Sequence, residues 1–191
     1  MAYKFNPDKK HKLDNEDRKK EMPPKDTLKN MLLTKQDNFL DVGAGIGYFS
    51  IAASEIIGEN KKVYAVDTSE EMLEELKRRI QKENINNILP MNGNKYNTDI
   101  ENNSVSYIFM SNVLHEVEDK ELFLKNYLEK LKPDGKIGIV EFKKKEISKG
   151  PPVEHKISIN QLRNYYKRLN LEIIKEVDIN DFQYGVVGKK K

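Results

Sequence analysis

Apolar residues in this chain follow two alternating rhythms. Runs such as Phe39-Leu40-Asp41-Val42, Val63-Tyr64-Ala65-Val66 and Val105-Ser106-Tyr107-Ile108-Phe109-Met110 have the length and the β-branched or aromatic content of strands. Between and after them apolar residues recur every three or four positions: Phe49, Ala52, Ala53 and Ile56, then Leu73, Leu76 and Ile80, then Leu124, Tyr127, Leu128 and Leu131. Each set lines one face of a helix. Strands alternating with helices call for parallel βαβ units with right-handed crossovers, which is an α/β, doubly wound, Rossmann-like sheet with helices on both faces. Further along, Ser158 and Gln161 form a capping box ahead of Leu162, Tyr165, Tyr166 and Leu169. The tail departs from the parallel pattern. Leu171 to Val177 and Phe182 to Val186 read as strands only a few residues apart, too close for a crossover, so they predict an antiparallel C-terminal hairpin.

One stretch carries chemistry. The strand at Phe39 ends in Asp-x-Gly-x-Gly-x-Gly, with Asp41, Gly43, Gly45 and Gly47 at the defining positions. Glycine tolerates positive φ and lets backbone N–H groups approach a ligand that a side chain would hold away. The spacing is not the dinucleotide fingerprint G-x-G-x-x-G, because Tyr48 stands where its last glycine belongs, and the chain has no G-x-x-x-x-G-K-[ST] phosphate loop. A carboxylate beside the loop also suits a cationic ligand better than a pyrophosphate. About twenty residues on, Lys62-Val63-Tyr64-Ala65-Val66 ends in Asp67, the position that hydrogen-bonds ribose hydroxyls in nucleotide-binding α/β units. Thr68 is expected to cap the helix that follows, with Glu71 closing the box, and Met72 either pads an adenine face or joins the core.

These residues resemble motif I of class I S-adenosylmethionine-dependent methyltransferases, whose usual form is D-x-G-x-G-x-G after the first strand. The resemblance implies S-adenosylmethionine as cofactor and S-adenosylhomocysteine as its product. It also implies cofactor contacts at Asp41, Gly43, Gly45, Gly47, Asp67, Thr68, Met72, Asn94 and Ser111. Leu89-Pro90-Met91-Asn92-Gly93-Asn94 sits where the family often has Gly-Asp, so Asn94 replaces an acid that bonds the adenine amine; an amide keeps one acceptor and gains a donor there. Val105 to Ser111 looks like the fourth strand, and Leu131-Lys132-Pro133-Asp134-Gly135-Lys136 is similar to the turn before the fifth. Ser111-Asn112-Val113-Leu114-His115 is similar to the menaquinone, ubiquinone and small-molecule branch, which implies a small organic acceptor and makes His115 the candidate general base. A histidine there can equally fix loop structure. Glu141 and Glu154-His155 are candidates for lining the acceptor cleft.

Methyl transfer from a sulfonium is an in-line displacement, so holding acceptor and methyl carbon aligned about 3 Å apart supplies much of the acceleration. Other readings of the same residues are a methyltransferase acting on RNA or protein, a cofactor-binding module without catalysis, and an NAD(P)-dependent oxidoreductase.

Composition narrows the class. The chain has 191 residues, 37% hydrophobic and 34% charged, which suits one domain; we assign it to residues 26–191, preceded by a charged N-terminal segment over residues 1–25. His11 to Pro24 in that segment has only two apolar residues, and reads as a tail or as a lid over cofactor and acceptor. A short packing helix is expected from Asp26 to Leu33. Zero cysteines exclude disulfides, thiolate metal sites and a cysteine nucleophile. The three histidines, His11, His115 and His155, are scattered without metal-ligand spacing, so no metal is expected. A net charge of +3 with clustered lysines only at Lys143 to Lys145 and Lys189 to Lys191 gives no nucleic-acid footprint. No run approaches a bilayer span, and Met1 to Pro7 lacks the apolar stretch of a secretory signal, so a cytoplasmic location is expected.

Overall fold

Strand β1, Phe39–Val42, is buried at every residue, as a central parallel strand covered on both faces requires. Around it, a computed structural model describes residues 14–94, 96–147 and 149–191. Readings that fall on residues 1–13, among them Met1 to Pro7 and His11, lie outside the described residues.

The chain enters through α1 (Glu16–Glu21) and α2 (Pro24–Asn30), then runs β1, α3 (Tyr48–Ile56), β2 (Val63–Asp67), α4 (Glu70–Glu83) and β3 (Ile88–Asn92). It continues through β4 (Val105–Ser111), a 3-10 turn (Leu114–Glu116), α5 (Lys120–Leu128) and β5 (Leu131–Phe142). A second 3-10 turn (Val153–His155), α6 (Ile159–Arg168), β6 (Leu171–Asp178) and β7 (Gln183–Lys190) complete it. The seven strands form one sheet in the order β3-β2-β1-β4-β5-β7-β6. β1 to β5 pair in parallel, whereas β7 is antiparallel to both β5 and β6, so the expected doubly wound sheet with a terminal hairpin is what forms.

Two cores follow from the period of two along the strands. Leu40, Val42, Ile108, Met110, Ile137 and Ile139 face α5 and α6, where Phe123, Leu124, Tyr127, Leu162 and Tyr166 close the layer. Phe39, Tyr107, Phe109 and Val140 face the other way, onto Leu28, Phe49, Ala52, Ala53, Leu73 and Leu76. Strand order reverses between β1 and β4. Helices that continue from these two strands cover opposite faces, which opens a crevice at their carboxyl ends, the place where α/β sheets bind ligands.

Local details correct some expectations. Ser69, not Thr68, caps α4, its hydroxyl accepting from the Met72 N–H at 3.4 Å, because Asp67 and Thr68 still complete the strand and turn. Leu131 is not part of the α5 face: α5 ends at Leu128, and Leu131 is already the first residue of β5. The Leu131-Lys132-Pro133-Asp134-Gly135-Lys136 run therefore lies inside β5, its register against β4 breaking between Val105 and Tyr107, with Asp134 at φ 61°. The helix expected over Asp26 to Leu33 starts earlier, at Pro24, and stops at Asn30; Leu32 turns out of it at φ 67°. The capping box of Ser158 and Gln161 forms as read.

Candidate active site

The glycine loop is built by backbone conformation first. Gly43, Gly45 and Gly47 adopt φ of 72°, 55° and 85°, in the region that favours glycine. Space adds a second constraint at two of them. A Cβ on Gly43 would stand 2.4 Å from Val113 Cγ2, and one on Gly47 2.3 Å from Leu76 Cδ1. Gly43 and Ala44 donate to the Val66 carbonyl at 2.8 and 3.0 Å, tying the loop to the end of β2, and Gly47 leads into α3.

Two acids flank this loop. Asp67, at the end of β2, accepts from the Gly45 N–H at 2.7 Å through Oδ2 and from the Ser69 N–H at 2.9 Å through Oδ1. Asp41 is 3% exposed, and the Ser50 hydroxyl of α3 donates to its Oδ2 at 2.6 Å. Burial pushes the Asp41 carboxyl up to about 7; the Ser50 hydrogen bond opposes this, the charge of Asp67 adds to it, and Arg18 opposes it weakly. A loop of bare backbone flanked by two mutually repelling acids favours a cationic guest. That is the chemistry of a sulfonium nucleoside carrying an ammonium group, so the residues present fit S-adenosylmethionine.

The remaining predicted contacts sit at different depths. Thr68 is exposed between β2 and α4, whereas Met72 is buried on α4. Asn94 is exposed in an isolated bridge with Asn97, and its side-chain oxygen already accepts from the Tyr96 N–H at 3.0 Å. Ser111 ends β4, half-buried beside the loop that leads to His115.

His115 lies 3% exposed in the 3-10 turn after β4. Its Nδ1 is 2.7 Å from Glu141 Oε2, and its backbone N–H donates to Glu141 Oε1 at 3.2 Å. Burial alone would lower the imidazole pKa, yet the charge and hydrogen bond of Glu141, helped by Glu116 and opposed by Lys120, carry it above the ordinary value. The same histidine lines a cavity of about 360 Å³ with Val117, Lys120, Lys144, His155 and Tyr165 among its walls. Glu154 lines it as well, whereas Glu141 is fully enclosed behind His115.

The lid reading of the N-terminal segment named none of the contacts that its residues make. Arg18 of α1 stacks its guanidinium 4.2 Å from the centre of the Tyr48 ring, and the Tyr48 hydroxyl donates to the Met22 carbonyl at 2.9 Å. Asp14 pairs with Arg79 at 2.6 Å, while Arg79 also donates to the Ile46 carbonyl at 3.0 Å. Charge-dense segments usually read as solvated, and only the fold reveals that these charges meet the glycine loop and α4. Gln183, which donates to Asn112 Oδ1 at 3.1 Å from β7, was equally invisible.

Fold and site together have the form of the class I, S-adenosylmethionine-dependent methyltransferases. A profile of the methyltransferase domain family matches residues 39–135, and the chain belongs to that family. A SAM-dependent methyltransferase from Aquifex aeolicus has the same architecture, with a TM-score of 0.92 at 29% identity, covering 98% of this chain and 100% of that one. Among curated proteins the chain is similar to the demethylmenaquinone methyltransferase of Oceanobacillus iheyensis, 33% identical over 117 residues, or 61% of this chain and 49% of the relative. It is also similar to that of Geobacillus sp., 30% identical over 116 residues, or 61% and 50%. The chain thus spans about half the length of the curated relatives it matches. Among the described residues no helix is long and apolar enough to cross a membrane.

Proposed function

We propose that this chain transfers a methyl group from S-adenosylmethionine to a small organic acceptor. The observation that carries the reading is the acid-flanked, left-handed glycine loop at the switch point of the sheet, with a cavity walled by His115 beyond the ends of β4 and β5. When bound, the cofactor supplies an already activated methyl group. In this reading Gly43, Gly45 and Gly47 lie against the amino-acid part of the cofactor, and Asp41 answers its positive charge. Asp67 binds the ribose hydroxyls. Thr68, Met72, Asn94 and Ser111 complete the adenosyl side, and His115 takes a proton from the acceptor. The names of the two curated relatives, demethylmenaquinone methyltransferases, support a small-molecule acceptor of that type.

The N-terminal segment over residues 1–25 then serves as a cover on the domain of residues 26–191. Its described part supports this role, since Arg18 and Met22 meet Tyr48 beside the glycine loop. Calorimetric titration with S-adenosylmethionine and S-adenosylhomocysteine tests the cofactor, and methyl transfer to quinol, phenol and amine acceptors tests the reaction. Heat from both adenosyl compounds, and transfer to at least one acceptor, is the expected result. No heat from either compound refutes the proposal.

A further inference from the structure

Carboxylates are seldom enclosed completely, because removing one from water costs several kcal/mol unless partners replace its hydration. Glu141 is such a case: 0% exposed, one residue before the end of β5, and among the described residues its hydrogen-bond partner is neither an arginine nor a lysine. Both of its oxygens are taken by one residue. Oε1 accepts from the His115 backbone N–H and Oε2 meets His115 Nδ1. A carboxylate that accepts at both oxygens places the ring proton on Nδ1, and the lone pair of the neutral ring is then on Nε2. The fold delivers this couple by pairing β4 with β5, where Ser111 lies opposite Val140, so the chain leaving β4 passes directly over the end of β5.

We propose that Glu141 is the positioning residue of a buried Glu–His couple, which orients His115 so that Nε2 accepts a proton from a hydroxyl-bearing acceptor. The proposal rests on the methyl-transfer reading above and names the acceptor group for it. As the acceptor oxygen forms its bond to the methyl carbon, its O–H proton passes to Nε2. The electron pair of the broken carbon–sulfur bond stays on sulfur, leaving a neutral thioether. The imidazolium that forms is matched by Glu141 and afterwards releases its proton to solvent.

A hydroxyl fits better than an amine. A phenol at neutral pH keeps its proton and is a weak nucleophile until a base takes it, whereas an amine needs only its neutral form and can shed a proton after transfer. The walls of the cavity agree with a developing oxyanion. Lys144 and Lys156 line it with Lys120 and His155, together with Glu118 and Glu154, and Lys156 donates to the Lys145 carbonyl at 3.0 Å. The groups that set the charge of the imidazole are Glu141 from β5, Glu116 from its own turn, with Nε2 3.9 Å from Oε1, and Lys120 from α5.

The experiment uses nitrogen-15 NMR of the full chain across pH, with His115→Asn to assign the signal, and compares wild type with E141Q and E141D. Wild type should show a proton on Nδ1 and an imidazole that titrates above the ordinary histidine value. In E141Q the titration should fall by one unit or more, a tenfold loss of proton affinity, and E141D should recover part of it. Binding of S-adenosylhomocysteine should stay within about threefold in E141Q, which also reports that the variant folds. With catechol as hydroxyl probe and aniline as amine probe, wild type should methylate catechol. E141Q should lose at least tenfold in kcat with KM little changed, and its pH–rate limb should move to lower pH.

An unchanged His115 titration in E141Q, or a proton on Nε2 rather than Nδ1, overturns the couple. Faster transfer to aniline, or no transfer to catechol by protein that binds the cofactor, overturns the hydroxyl assignment. Failure of wild type to bind S-adenosylhomocysteine is a different result, since it removes the methyl-transfer reading while the NMR titration still reads the couple.

Discussion

Replacing Asp41 by asparagine should make the ligand-free protein more stable and cofactor binding weaker. Asp41 is enclosed, and its carboxyl is pushed up to about 7 in the folded chain against 3.8 when free of it. The folded state therefore keeps a proton across that window while the unfolded state has released it. Stability of the wild type must then fall as pH rises from about 4 to about 7, by roughly 1.4 kcal/mol per unit from this group alone. Asparagine cannot ionise, and its side-chain oxygen can still accept from Ser50. The difference between Asp41→Asn and wild type should therefore grow by about 2.7 kcal/mol between pH 5 and pH 7, as an upper figure, and level off above pH 8. Urea unfolding of both proteins at pH 5, 6, 7 and 8 measures it, and taking the difference cancels the other titrating groups. Equal pH slopes for the two proteins would refute the reasoning, because they would mean that Asp41 ionises in the fold as easily as outside it. In the same samples S-adenosylmethionine should bind wild type more tightly as pH rises from 5 to 7, since the cation favours the ionised acid, and this dependence should vanish in the variant.

Three other outcomes follow from the geometry. Gly43→Ala must place a Cβ 2.4 Å from Val113 at a positive φ, so it should lower stability by about 1–3 kcal/mol and weaken cofactor binding, read by denaturation and calorimetry. Tyr166→Phe removes the hydroxyl that donates to the Ile137 and Val186 carbonyls at 3.2 and 3.0 Å; it should cost about 1–2 kcal/mol in urea unfolding and leave cofactor affinity unchanged, because Tyr166 reaches from α6 onto β5 and β7 and not to the loop. Arg18→Ala should loosen α1 from Tyr48 and speed limited proteolysis after residue 16, with the cofactor restoring less protection than in wild type; identical cleavage of the two proteins would argue against the covering role.

What was legible in the sequence rests on period and on glycine. Strands β1, β2 and β4 and helices α3, α4 and α5 declare themselves because a parallel sheet buried on both faces needs long apolar runs, and helices covering it need a stripe every three or four residues. The loop is legible for a related reason, since positive φ favours glycine and a Cβ at Gly43 or Gly47 would also run into Val113 or Leu76. Helix caps were harder. Thr68 and Ser69 are both competent, and the choice falls to Ser69 because Asp67 must stay in β2 to reach the Gly45 N–H. Leu131 fits the α5 stripe by spacing, but strand pairing with Val105 claims it for β5.

The local sequence, then, determined the alternation of elements, the glycine-lined turn and its acids, since those depend on neighbours a few residues apart. Tertiary structure alone decided the pairing of Glu141 with His115, 26 residues away, and the docking of Arg18 on Tyr48. Contacts between distant residues depend on which strands lie side by side, and a short-range hydrophobic pattern carries no record of that choice.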